Sequence, residues 1–455
     1  MTTSEIAVDF AGDGAGTAPL TWGQLRVWQK AREIGQTMNI VVADLLPEGT
    51  SIAEMVAFLR FMVSRHPALR TQLRFVDGHP WQVVSGSGSV PLQIVDIDAG
   101  DPAATAEELR ARYQLTWFDY EHEFPVRMGL VRQGGALRAI ALGFSHVATD
   151  GAGLQVLTRD TERLDRTTLT ATAAPAGLDP LELAAAQAGL AGRRQTARCV
   201  RHWTEQFARL RPWRNNTPAD PQEPQFRELV VYSPALAVGL RAIQGRTGIG
   251  ATPTLLAVYC VAVARVLGRN PAVAQIVVGN RFRPGFADTV LALSQPGLCV
   301  VDAAADTFDE VVARADQAVT AASFYGYYDP VELARIDTPP DISWHLNDRR
   351  ALFATAGDDS PATEAELREA LPRTKMYWDH AEPTFNGDLF LQVDSRPDPA
   401  MAKRVALDEG LPAVWLEIWA NTHHFAQDQI EAFARELDAV VAAAAFDGKA
   451  PTGVG

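Results

Sequence analysis

The chain has 455 residues, 47% of them hydrophobic and 21% charged, an ordinary composition for a globular protein and a length that accommodates two lobes. Its 41 lysines and arginines against 55 aspartates and glutamates leave a net charge of −14, which argues against a nucleic-acid-binding surface and against anionic membranes. Three scattered cysteines, Cys199, Cys260 and Cys299, read as buried thiols of a reducing cytoplasm, and the apolar runs are too short or too interrupted to span a bilayer.

The start of the chain is polar, acidic and glycine-rich, with no signal-peptide pattern, so residues 1–18 are expected to form a flexible tail. Folded structure is expected from Pro19, with Thr21 capping a first helix that carries Leu25 and Trp28 at helical spacing. A strand follows at Ile40–Leu46. The helix from Ser51 to His66 carries Ser51 and Glu54 at capping-box distance. Arg65 and Arg70 read as structural, joining that helix end to the next strand. Strands near residues 72–75 and 81–84, a helix near 103–115, and strands near 126–131 and 137–146 complete a first α/β lobe.

The run from Leu137 to His146 is bulky on one face, with Ile140, Leu142 and Phe144, and small on the other, with Ala139, Ala141 and Gly143. That pattern suits a strand packed between two layers and puts His146 at its end. Asp150-Gly151 then supplies a helix-start signal. An imidazole at a strand end is a place for a general base, although a hydrogen-bonded core histidine fits the same local pattern. Ser145 is not a nucleophile of a hydrolytic triad. Adjacent strand residues point to opposite faces, and its flanks lack the G-x-S-x-G elbow.

A Thr-, Ala- and Pro-rich passage marks the lobe boundary, giving an N-terminal lobe at 19–170, a linker at 171–180 and a C-terminal lobe at 181–455. The second lobe reads as helix over 181–210, a surface loop over 211–225, a strand at 226–232, helices near 234–244 and 252–267, and a buried strand at 273–279 leading into Gly279-Asn280-Arg281-Phe282-Arg283. His423-His424 has no cysteine or carboxylate at ligand spacing, so no metal site is expected. No phosphate-binding glycine loop is present. Tyr325, Tyr327, Tyr328, Tyr377 and Trp378 are candidates to line a substrate channel, with core packing as the alternative; Tyr328 and Trp378 are carried forward as substrate-binding candidates.

Ser145-His146-Val147-Ala148-Thr149-Asp150-Gly151 resembles the H-H-x-x-x-D-G signature of the condensation domains of nonribosomal peptide synthetases, with Ser145 in place of the first His. The shorter H-x-x-x-D-G core, shared with the wider chloramphenicol acetyltransferase-like superfamily, is intact. The likeness extends through the T-W-G-Q-L-R-V-W segment from Thr21, the R-H-P-A-L-R-T segment from Arg65, the 279–283 segment, Tyr327–Leu333 and the final strand and helix, nearly the whole chain.

The resemblance implies two chloramphenicol acetyltransferase-like α/β lobes arranged as a V, with the active site at their junction. It implies a free-standing condensation enzyme that joins a carrier-bound acyl or aminoacyl thioester to an amine or alcohol in natural-product biosynthesis. His146 would act on the acceptor's proton. Asp150 would act as a scaffold paired with Arg281 (Arg283 the fallback), Gly151 would offer its amide to the oxyanion, and Ser145 would support the loop. No cofactor is bound; the phosphopantetheine arm arrives on a carrier protein in trans. The rival readings are a coenzyme A-dependent acyltransferase and a non-catalytic recruitment module with a condensation-like fold.

Overall fold

The computed structural model describes residues 1–165, 170–171, 177–210, 218–339, 342–352, 360–395 and 412–455. The chain divides into two compact units, residues 1–195 with 279–295, and residues 196–278 with 296–455. The elements of the first are β1 (Thr2–Ala11), β2 (Gly16–Pro19), α1 (Trp22–Ile34), β3 (Ile40–Leu45), α2 (Ile52–Arg65), β4 (Thr71–Val76), β5 (His79–Val84), β6 (Ser87–Ile97), α3 (Pro102–Leu115), β7 (Val126–Gln133), β8 (Ala136–Phe144), α4 (Gly151–Thr161), the short β9 (Leu164–Asp165) and β10 (Thr170–Ala171), and α5 (Pro180–Ala188).

The principal sheet of this unit has the order β1-β6-β7-β8-β3, and β2-β5-β4 form a smaller one. The two faces expected of β8 are both covered. Leu142 and Phe144 join a core with Leu59 and Met62 of α2 and Leu157 of α4. Ala139 and Ala141 pack beside Leu109 and Tyr113 of α3. Gly143 lets α3 approach, since a Cβ there would lie 3.3 Å from the Tyr113 Cβ. Arg65 forks onto Asp160 of α4 through Nε at 2.7 Å and Nη2 at 3.1 Å. Arg70 is buried and donates to the carbonyls of Gly12, Asp13 and Ser85. Both are structural, as expected.

Two expectations are corrected. Residues 2–11 are not a flexible tail: β1 pairs antiparallel with β6 from Thr2↔Asp96 to Ala11↔Ser87. The physical cause is the alternation Ile6, Val8, Phe10, which places Val8 and Phe10 in the core at 1% and 4% exposure. The unit boundary also differs from the expected linker at 171–180. Helix α5 stays with the first unit, tied in where Gln187 Oε1 accepts from Trp22 N at 2.9 Å and where Gln82 Nε2 donates to Pro180 O at 3.2 Å. The division falls within α6 (Leu190–Ala208). Linker residues 172–176 and loop residues 211–217 lie outside the described residues.

The second unit continues with β11 (Phe226–Ser233), α7 (Pro234–Thr247), α8 (Ala251–Leu267), β12 (Ala272–Val278), β13 (Gln295–Val301), α9 (Phe308–Tyr325), α10 (Pro330–Leu333), β14 (Trp344–Asp348), α11 (Glu364–Ala370), β15 (Lys375–Glu382), β16 (Leu389–Asp394), β17 (Val414–Asn421) and α12 (Gln427–Ala444). Its seven-stranded sheet has the order β13-β12-β14-β16-β17-β11-β15. One face packs Leu229, Leu391, Leu416 and Ile418 against Leu236 of α7, Leu256 and Val261 of α8 and Phe433 of α12. Helix α8 is apolar over most of its surface because it is core, with Arg265 exposed in its last turn. No single described helix is long and apolar enough to cross a membrane; α7 and α8 pass that test only as a pair, bent by 116°.

Candidate active site

Strand β8 ends at Phe144, two residues earlier than the alternation suggests, because the backbone turns through Ser145–Ala148. Ser145 holds that turn. Its amide donates to Pro125 O at 3.1 Å, its carbonyl accepts from Ala148 N at 2.9 Å, and its hydroxyl accepts from Val147 N at 3.3 Å. The same hydroxyl meets the Tyr120 hydroxyl at 3.1 Å, and burial raises the Tyr120 phenol above its ordinary range. Ser145 is fully buried, so a small hydroxyl side chain fills the place and satisfies the turn.

His146 sits on the turn, partly exposed. Its Nδ1 lies 2.9 Å from the carbonyl of Thr149. A carbonyl only accepts, so Nδ1 carries the hydrogen and Nε2 keeps its lone pair in the neutral ring. That is the tautomer a general base at Nε2 requires.

Asp150 hydrogen-bonds elsewhere than to His146. Its Oδ1 accepts from Gly153 N at 2.8 Å, capping α4, and from Arg281 Nη2 at 2.6 Å. Its Oδ2 accepts from the amides of Leu293 and Ser294, each at 2.9 Å, and from Ser294 Oγ at 2.7 Å. Five donors around a carboxylate 2% exposed make it a joint in the scaffold rather than a relay to the imidazole. Burial lowers the affinity of Arg281 for its proton, and Asp150 opposes that shift. Arg283 turns instead to Asn280 Oδ1 at 3.0 Å, so Arg281 is the partner and the fallback is discarded.

The surrounding backbone is shaped for this joint. Asn280 takes a left-handed conformation, φ 59°, and donates from Nδ2 to Leu293 O at 2.9 Å, closing the 280–293 segment on itself. A Cβ on Gly153 would lie 2.3 Å from Thr149 Oγ1 and 3.2 Å from Arg281 Nη2. A Cβ on Gly23 would lie 2.1 Å from Ala292 O, so α1 presses its glycine onto the strip that holds Asp150. Gly151 opens α4 as its first residue, where helix amides lack intrahelical acceptors.

The remaining candidates have partners of their own. Tyr328 is a core residue, 2% exposed, donating to Pro296 O at 3.0 Å and packed edge-on to Trp203. It is not a channel residue, because its hydroxyl is already bonded and its ring is buried in a cluster with Trp203, Leu298 and Val300. Trp378 on β15 donates from its indole to Glu431 Oε1 at 3.0 Å, and its ring packs against the main core of the second unit, which corrects the channel assignment. His66 is buried 3.1 Å from Asp160 Oδ2. His423 and His424 pair with Glu223 and Asp388 respectively. The residues not singled out in the sequence are Tyr120, Gly23, Gly153, Leu293 and Ser294. The Gly151-Ala152-Gly153 run and the T-W-G-Q segment were signals for two of them; the backbone donors had none.

Comparison with known proteins identifies the family. The family model described as Condensation domain matches residues 15–342. The chain is 26% identical over 353 residues, 74% of its length, to tyrocidine synthase 3 of Brevibacillus parabrevis, of which it spans 5%. Among solved structures it is similar to the X-domain from teicoplanin biosynthesis, with a TM-score of 0.70, 19% identity and 98% of each chain covered. It is also similar to SgcC5 of Streptomyces globisporus, with a TM-score of 0.66, 18% identity, and 95% of this chain and 100% of that one covered. The chain belongs to the condensation-domain family and has its chloramphenicol acetyltransferase-like fold.

Proposed function

We propose that this chain is an acyltransferase of natural-product biosynthesis that condenses a thioester borne on a carrier protein with an amine or alcohol, the acceptor being a diffusible small molecule. The observation that carries the reading is the His146 tautomer: Thr149 O holds Nδ1–H while Asp150 is fully engaged elsewhere. In the reaction the acceptor's nitrogen or oxygen attacks the thioester carbonyl, and His146 Nε2 takes its proton. The Gly151 amide, at the positive end of α4, would face the developing oxyanion. The tetrahedral intermediate collapses with cleavage of the C–S bond, and His146 returns the proton to the departing phosphopantetheine thiolate. A new C–N or C–O bond and a free thiol result. The arm is part of the substrate, delivered by the carrier in trans, and no resident cofactor enters the scheme.

The diffusible acceptor is supported by the likeness to SgcC5, a structure of which is a complex with a naphthyl ethanediol. A second reading, a docking module without turnover, is favoured by Ser145 at the first histidine position and by the likeness to the X-domain, which is also known in a complex with OxyB. Acyl-pantetheine mimics offered with a panel of amines and alcohols, read by mass spectrometry, separate the two. Product is expected, and His146→Ala is expected to lower its rate by about a hundredfold or more while leaving the fold intact. Folded protein that yields no product from any donor supports the docking module instead.

A further inference from the structure

The chain on either side of His146 is braced by one side chain. Tyr120 lies in the connection between α3 and β7. Its hydroxyl is 3.1 Å from Ser145 Oγ, the residue before the imidazole. Its ring packs against the cluster of Val27, Val147 and Ala292, which holds the residue after it. Tyr120 is itself fixed. Its ring meets Trp28 of α1 edge-on at 5.2 Å, with the two planes 87° apart, and its carbonyl accepts from Leu73 N of β4 at 2.7 Å.

The hydrogen bonds at Ser145 give the phenol a defined part. Ser145 is fully buried, and its Oγ accepts from Val147 N at 3.3 Å. A hydroxyl also has one hydrogen to donate, and an amide N–H accepts none. Of the two described partners of Oγ, only Tyr120 Oη can take that hydrogen. Without the phenol oxygen the serine hydrogen is buried and unpaired, and the side chain is drawn to a rotamer that no longer serves the Val147 amide. Space gives the same answer. The signature that this stretch resembles has a histidine where Ser145 stands, and an imidazole at this buried position would need the volume that the phenol fills.

We propose that Tyr120 is a positioning residue for His146, and that Tyr120 and Ser145 together take the place of the histidine that opens the family signature. The proposal rests on the acyl-transfer reading for its effect on turnover, whereas the setting of the imidazole is measured without turnover. The measurement is a long-range proton–nitrogen NMR correlation on protein labelled at the histidine nitrogens, recorded above the ionisation of the ring. The His146 signals are assigned by their loss in His146→Gln.

The wild type should show the Nδ1–H tautomer alone, and Tyr120→Phe and Ser145→Ala should each give a mixture with the Nε2–H form. In product assays each variant should lower kcat by about tenfold at unchanged KM, and the double variant should fall no further than either single, since both remove one bond. Ser145→His should lose activity in the wild-type background and recover it beside Tyr120→Leu, which makes room for the ring and guards against a folding artefact. A single Nδ1–H tautomer in both variants overturns the proposal, as does a double variant in which the two losses multiply. Absence of recovery in the Ser145→His, Tyr120→Leu pair overturns the exchange with the signature histidine. Mixed tautomers in the variants of a protein that makes no product from any donor would keep Tyr120 as the positioning residue and remove the acyl-transfer reading.

Discussion

Asp150 binds donors from two stretches of chain, the first turn of α4 and residues 281–294. Its replacement by alanine removes a cap and leaves the buried Arg281 guanidinium uncompensated. Thermal or denaturant unfolding of Asp150→Ala should show a loss of about 3–5 kcal/mol, with activity falling because the His146 turn loses its anchor. His146→Ala, by contrast, should lose activity at nearly unchanged stability, since the imidazole is partly exposed and makes one described hydrogen bond. The pair of variants separates a chemical role from a scaffolding one. At this scale the sequence was informative wherever chemistry is written in side chains. The spacing of His146, Asp150 and Gly151 was visible, and Arg281 could be chosen by family likeness. The amides of Leu293 and Ser294 could not be found that way, because a backbone donor carries no residue signature. Tyr328 and Trp378 were misassigned because an aromatic in a sequence looks the same whether its ring meets a ligand or the core.

Among the elements, α1 shows how a glycine inside a helix is retained for proximity rather than flexibility. Its Gly23 lies against Ala292 O, one residue before the amides that hold Asp150. Gly23→Ala should force α1 off that strip and destabilise the fold by roughly 1–3 kcal/mol. Turnover should drop beyond what the lower melting temperature explains, and circular dichroism melts run beside product assays would read both. The capping signals of α1, α2 and α4 were legible, and Ser51, Glu54 and Asp150 take the expected positions. Strand β1 was not. Its apolar residues alternate with Glu5, Asp9 and small residues, so composition alone suggested a tail, and only the period of two marked Ile6, Val8 and Phe10 as one face. The bulge at Glu228, between Arg227 and Leu229 of β11, was likewise invisible, since it depends on pairing between β11 and β15, far apart in sequence.

For the molecule as a whole, the Glu417 carboxyl, pushed up to about 7 by burial, links stability to pH. The folded state holds that proton more tightly than the unfolded chain. The associated stabilisation is therefore complete below the ordinary carboxylate range and is lost as pH rises from about 4.5 through 7. Glu417→Gln removes the dependence, so the variant's melting temperature relative to wild type should climb between pH 5 and pH 8. A constant difference across that range would count against the burial of this charge. The division into units was the least legible feature. A Pro- and Ala-rich passage looked like a border, whereas α5 returns to the first unit through Gln187 and Gln82, contacts that no local composition announces.

Residues 279–295 belong to the first unit although 83 residues of the second unit, 196–278, separate them from the rest of it. On the ribosome, the stretch through residue 195 would emerge carrying Asp150 without Arg281, Leu293 or Ser294. At roughly 5–20 residues per second, on the order of 5–20 s of further synthesis passes before those donors exist. The carboxylate must stay hydrated over that interval, and the His146 turn is anchored through Asp150 only when the later segment arrives, so this loop is among the last parts of its own unit to be completed.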